Sequence, residues 1–98
     1  MKRIKHYEPP SAGDLAQLKE DLNFTSPQMA DLAGLAQGAQ WRKYTGGAAP
    51  RELGMQMHFY MAALLTLGDD ELGRITDLMR SQGAQVYLGP LPSGPTTV

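Results

Sequence analysis

Two helix-start signals stand fourteen residues apart in this chain and limit what it can become. Ser11-Ala-Gly-Asp14 places a hydroxyl three residues before a carboxylate, and Thr25-Ser-Pro-Gln28 places one three residues before an amide. In each, the hydroxyl can accept from the backbone N–H three residues on while the second side chain reaches back to the first backbone N–H. Pro27 falls in a first turn, where its missing N–H costs nothing. A helix begun after Ser11 must end before Thr25, so the chain is committed to short helices.

Stop signals and apolar spacing extend the pattern. Leu15, Leu18 and Leu22 predict a first helix over about residues 12–22, ended by Asn23. Met29, Leu32 and Ala33 form the apolar face of a second helix of about eight residues, with Gly34 as its stop. Ala36 or Gln37 can cap a third, running to about Thr45 before Gly46-Gly47. After Pro50, RELGMQMHFYMAALLTL predicts a fourth helix. Leu53, Met57, Tyr60, Met61 and Leu64 form one stripe on it, and Met55, Phe59 and Ala62 begin another. Apolar residues on nearly all sides imply a central helix, or one shared with a partner. Gly68-Asp69 opens a fifth helix, its first-turn acids suiting the helix dipole and Arg80 suiting its last turn. Leu72, Ile75, Leu78 and Met79 are its expected inner face.

The expected fold is therefore all-α, a five-helix bundle over residues 11–83. Before it, residues 1–10 form a basic arm closed by Pro9 and Pro10. After it, residues 84–98 combine a short extended segment at Gln85–Leu88 with a Pro- and Gly-rich mobile tail over the last eight or so residues.

Ninety-eight residues suit one domain with one modest core. There is no cysteine, so neither a disulfide framework nor a cysteine-ligated metal exists. His6 and His58 are the two histidines, too few for a dedicated metal site, and no cofactor is expected. His58 is expected to be hydrogen-bonded or exposed. Patterns such as GxSxG, HExxH and GxxxxGKS are absent, and Asp69-Asp70-Glu71 reads as helix-capping charge, so an enzyme is not expected. No run reaches the roughly 18 apolar residues of a membrane span. MKRIKHYEPP lacks the apolar segment of a secretory signal, which points to a cytoplasmic protein.

The net charge of −1 argues mildly against unselective nucleic-acid binding, yet the charges are segregated. Lys2, Arg3 and Lys5 cluster at the start, and Arg42, Lys43 and Arg51 in the middle. The stretch QWRKYTGG sets Trp41 and Tyr44 three residues apart, so both rings share one helix side while Gln40, Arg42 and Lys43 occupy others. The aromatics are expected in the core. The cations are either a solvated face or a surface for DNA. The Lys2-Arg3-Lys5 arm either follows a groove of DNA or is an unstructured start.

Two short helices joined by a tight turn, the second with polar side chains outward, describe a helix-turn-helix. Through FTSPQMADLAGLA, WRKYTGG and PRELGMQMHFYMAALL, about residues 12–67, the chain resembles the lambda-repressor/Cro-like (XRE-type) helix-turn-helix family, particularly its small phage-encoded members. Phe24-Thr25, Ala30, Gly34 and Leu35 match the family's hydroxyl cap, small residue, turn glycine and hydrophobic in turn. The spacing from Gly34 to Trp41 is one residue longer than the family's usual one, so either the turn is longer or the third helix starts later.

The resemblance implies that the third helix enters the major groove, with Gln37, Gly38, Gln40 and Lys43 towards base edges. Lysine can donate to guanine O6 and N7, and glutamine can pair with adenine N6 and N7. It also implies that Thr25, Gln28, Arg42, Thr45 and Arg51 hold phosphates. The expected function is a sequence-specific transcriptional regulator, a phage or prophage repressor. It would bind double-stranded DNA at a palindromic operator as a homodimer, since one small module contacts few base pairs. The dimer contact is expected on the fourth and fifth helices, at Phe59, Leu72, Ile75, Leu78 and Met79. The rival reading is a phage-encoded module that keeps the scaffold and binds a host protein, favoured by the charge of −1 and the methionines of the fourth helix.

Overall fold

The chain folds into five helices, and the computed structural model describes residues 1–91. They are α1 (Ala12–Leu22), α2 (Ser26–Ala33), α3 (Gly38–Thr45), α4 (Met55–Thr66) and α5 (Asp69–Ser81). Among the described residues there is no strand. The expected tail lies, from residue 92 on, outside them.

Local chemistry sets the helix ends. At α1, Asp14 N–H donates to Ser11 Oγ and Ser11 N–H to Asp14 Oδ2, both at 3.0 Å. At α2, Gln28 N–H donates to Thr25 Oγ1 at 3.3 Å and Thr25 N–H to Gln28 Oε1 at 2.8 Å. Both capping boxes close as the spacing predicts. Asn23 (φ 57°) ends α1 and Gly34 (φ 77°) ends α2, each in the left-handed region. After α2, Leu35 N–H reaches Ala30 O at 2.7 Å and Gly34 N–H reaches Asp31 O at 3.1 Å. That pair of bonds satisfies carbonyls a helix end otherwise leaves open.

The core forms where α2 packs against both α3 and α4, with α1 across α3. Leu15 of α1, Met29, Ala30, Leu32 and Ala33 of α2, Trp41 and Tyr44 of α3, Leu53 and Met61 are its buried members. Leu18, Leu22, Phe24, Leu35, Met57 and Leu64 pack around them. Four of the eight residues of α2 are buried, so it is α2, not α4, that runs through the centre.

Three expectations are corrected. The fourth helix begins at Met55, four residues later than RELGMQMHFYMAALLTL suggested. Arg51 N–H is committed to Lys43 O at 2.8 Å, and Leu53 O accepts the Tyr7 hydroxyl at 2.7 Å, so these residues brace neighbours instead of joining a helix. Nor is α4 central. Met61 is its one buried residue and Met57 and Leu64 are half-buried, while Met55, Phe59, Tyr60, Ala62 and Leu65 face out.

On α5, the expected inner face is outside. Ile75, Leu78 and Met79 are 45, 58 and 39% exposed, Leu72 is half-buried, and the one buried residue is Thr76. The chain itself supplies the reason. It turns at Gly83 (φ 101°), and Arg80 Nε donates to Val86 O at 3.0 Å. Residues 87–91 then line a hollow with Leu72 and Asp69. Leu72, Thr76 and Arg80, four residues apart, share the side this returning segment follows. The segment Gln85–Leu88 has no regular secondary structure.

The arm at residues 1–10 is irregular yet placed. Tyr7 bonds to Leu53 O, lies 3.3 Å from His58 Nδ1, and meets the His58 ring edge-on at a centroid distance of 5.8 Å. Ile4 and Tyr7 line a hollow with Met55, Phe59 and Ala62. The arm thus lies on the outer face of α4.

Candidate nucleic-acid interface

The short helix α3 divides cleanly into two sides. Trp41 is fully buried and Tyr44 nearly so, with ring centroids 6.2 Å apart and planes tilted by 37°. Arg42 and Lys43 point outward and are exposed. The periodicity of 3.6 residues alone produces this division: positions three apart share a face, and the intervening pair turns to the other. Burial holds the phase, because an aromatic ring contributes roughly 150–250 Å² of buried surface.

Residues 32–51 contain three cations, Arg42, Lys43 and Arg51, and no carboxylate. None of the three forms an ion pair among the described residues. The Arg51 backbone is bonded to Lys43 O, which places this third cation at the C-terminal end of α3. The result is a local positive surface on a chain whose net charge is −1.

The start of α3 adjoins the start of α2. A Cβ on Gly38 would lie 2.9 Å from Pro27 N and 3.1 Å from Pro27 Cδ, so the two backbones touch there. Thr25 and Gln28 therefore stand near the entrance of α3, locked in their reciprocal cap. Helix N-termini carry partial positive charge, and two lie together.

The expected contact residues separate on this geometry. Gln37 is exposed just before α3, and Lys43 is exposed upon it. Gly38 is turned to α2 and serves packing. Gln40 is half-buried, and its Oε1 accepts from Ala36 N–H at 2.9 Å and Gln37 N–H at 3.0 Å. That oxygen caps the helix, which leaves the amide nitrogen for an outside partner. Thr45 is half-buried at the far end of α3. Ala39 joins the outward face although neither charge nor polarity marks it in the sequence. It is exposed, and it precedes Arg42 by three positions and Lys43 by four, so it stands at the middle of the outward face. The spacing alone could have identified it.

Of the five expected dimer residues, Phe59, Ile75, Leu78 and Met79 are exposed and Leu72 is half-buried. Phe59 lines a hollow with the arm, whereas Leu72 lines another with Tyr60, Leu64 and Leu67. Ile75, Leu78 and Met79 lie exposed along α5, with Leu72 one turn before Ile75. As for metals, among the described residues no three His, Asp or Glu side chains are grouped to hold an ion. No described helix is long and apolar enough to cross a membrane.

No protein-family model, curated protein or solved structure matches this chain.

Proposed function

We propose that the protein is a sequence-specific DNA-binding regulator in which α2 and α3 act as a helix-turn-helix, α3 being the recognition helix. The observation that carries this reading is the outward face of α3: Arg42 and Lys43, exposed and unpaired among the described residues, opposite the buried Trp41 and Tyr44. In the major groove, Lys43, Gln37 and the amide nitrogen of Gln40 read base edges, and Ala39 offers a methyl to thymine. Arg42, Arg51, Thr45 and the capped α2 start at Thr25 and Gln28 hold phosphates, which fix register without reading sequence.

The protein works as a homodimer on an inverted repeat, each copy covering one half-site. Two-fold symmetry in the protein matches palindromy in the operator, with half-sites about one helical turn, roughly 34 Å, apart. Repression by occupancy suits a domain this small, and a phage or prophage repressor in the cytoplasm is the setting that fits.

A second reading is a module that binds a host protein. The exposed outer face of α4, with Met55 and Phe59, favours it. Methionine adapts to irregular partners. Selection of bound duplexes from a random pool separates the two. Recovery of a palindrome supports the regulator. No duplex binding at about 50 mM salt, where electrostatic attraction is strongest, overturns it in favour of the protein-binding reading.

A further inference from the structure

The outer face of α4 and the stripe on α5 are complementary to each other. The first is a hollow of about 750 Å³ lined by Lys2, Arg3, Ile4, Met55, Gln56 and Phe59. Its floor is apolar and open, with Phe59 61% exposed. Its charged members are two cations, it contains no carboxylate, and neither cation has an ion-pair partner among the described residues. The Tyr7 bonds to Leu53 and His58 hold the arm, and with it these cations, beside α4.

The second surface begins with an acid. Glu71, Ile75 and Leu78 stand at i, i+4 and i+7 on α5, with Met79 beside them and the exposed Arg74 along one border, so a carboxylate heads an apolar stripe edged by one cation. Glu71 uses Oε1 to accept from Gly68 N–H at 3.0 Å, which leaves its second oxygen for a cation. The first surface asks for an amphipathic helix with an acid at one end, and α5 is one.

We infer that two copies associate by seating the Glu71–Ile75–Leu78 stripe of each in the Lys2–Arg3–Phe59 hollow of the other. This inference rests on the homodimer of the proposed function and gives it a pairing, in which the N-terminal arm belongs to the interface. A second copy is the occupant because it alone covers both apolar faces in one step. An acidic peptide from elsewhere would fill the hollow and leave α5 bare. Two identical contacts about a two-fold axis close the assembly at two copies, whereas a single contact would propagate. The apolar side chains supply most of the attraction, and the rim charges set the partner and register.

The test is sedimentation of the full chain across a micromolar concentration range, with circular dichroism confirming helix content. The parent reaches a limit of two copies. Lys2→Glu with Arg3→Glu in one variant, and Glu71→Lys in another, each bring like charges together and weaken association by roughly tenfold or more. Mixing the two variants restores it, because each then meets its opposite charge. Phe59→Ser, at an exposed position, dissociates the pair without unfolding the chain. A charge-reversed arm with parental association, together with no gain on mixing, overturns this pairing while the dimer stands. Open-ended growth of the parent overturns the two-fold closure. A parent that stays monomeric overturns the pairing and the homodimer together, and leaves the DNA reading to the duplex selection.

Discussion

Gly38 of α3 lies against Pro27 of α2 so closely that a Cβ on the glycine would come within 2.9 Å of the proline nitrogen. The neighbouring atoms are backbone and a rigid ring, at 3.2 Å from Ser26 C and 3.1 Å from Pro27 Cδ, and none can swing aside. Gly38→Ala therefore pushes α3 away from α2 and should cost about 1–3 kcal/mol, as overpacking does. Each kcal/mol lowers Tm by roughly 4–8 °C in a domain of this size. The control is Gly73→Ala in α5, where nothing stands within 4 Å. That change should raise Tm slightly, since alanine favours a helix interior over glycine by about 1 kcal/mol. Equal melting of Gly38→Ala and the parent would mean the helices do not meet there.

Trp41 is the largest fully buried side chain, and its indole nitrogen has no hydrogen-bond partner among the described residues. Trp41→Ala should cost on the order of 3–5 kcal/mol, a large share of the 5–15 kcal/mol roughly typical of a domain. Trp41→Phe should cost clearly less, since it keeps a ring and gives up no hydrogen bond. Chemical denaturation of the three proteins measures both differences.

Arg42 and Lys43 should separate two kinds of DNA contact. On the proposed regulator reading, Arg42 holds a phosphate, and Arg42→Ala should weaken binding about equally on selected and scrambled duplexes and reduce the salt slope by about one unit per subunit. Lys43→Ala should cost roughly 1–3 kcal/mol on the selected site and relax the base choice there. Both side chains are exposed and unpaired among the described residues, so neither change should shift thermal melting much. Salt titrations of the parent and both variants read the slopes directly.

Tyr7 pins the arm, and its hydroxyl titrates high. Burial raises it above the ordinary value of 10.0, and the Glu52 charge adds to the rise. The folded protein thus holds this proton more tightly than the unfolded chain. The associated stability is complete below pH 10.0 and is lost as pH climbs through the raised folded value. Unfolding measured from about pH 9 upward should show an alkaline loss that Tyr7→Phe lacks. At neutral pH the same variant gives up the bond to Leu53 O, about 0.5–1.5 kcal/mol, and should speed amide exchange along the arm.

Much of the helical arrangement was legible because it depends on interactions within one or two turns. Ser11 with Asp14 and Thr25 with Gln28 close caps over three residues, and Asn23 and Gly34 adopt the left-handed geometry that ends a helix. The same locality explains the candidate site: whichever way α3 docks, Trp41 and Tyr44 must face opposite Arg42 and Lys43. Gln40 and Gly38 were less legible. Whether a glutamine points outward or caps its own helix, and whether a glycine faces solvent or a neighbouring backbone, depends on what lies across the gap.

Short-range hydrogen bonding and periodicity thus fix the starts of α1, α2, α3 and α5, most helix ends, and which side of α3 is apolar, whereas the start of α4 waits on the contacts of Arg51 and Leu53. Which apolar faces are covered is set instead by packing between distant segments. Periodicity marks a stripe on α5 without saying what meets it. The turn at Gly83 brings the chain back along Thr76 and leaves Ile75 and Leu78 outside. Likewise Met61 is buried and Phe59 is not, because α2 occupies one side of α4 and the arm, held at Tyr7, only partly covers the other. Burial is a relation between segments distant in sequence, and hydrophobicity along one segment cannot specify its partner.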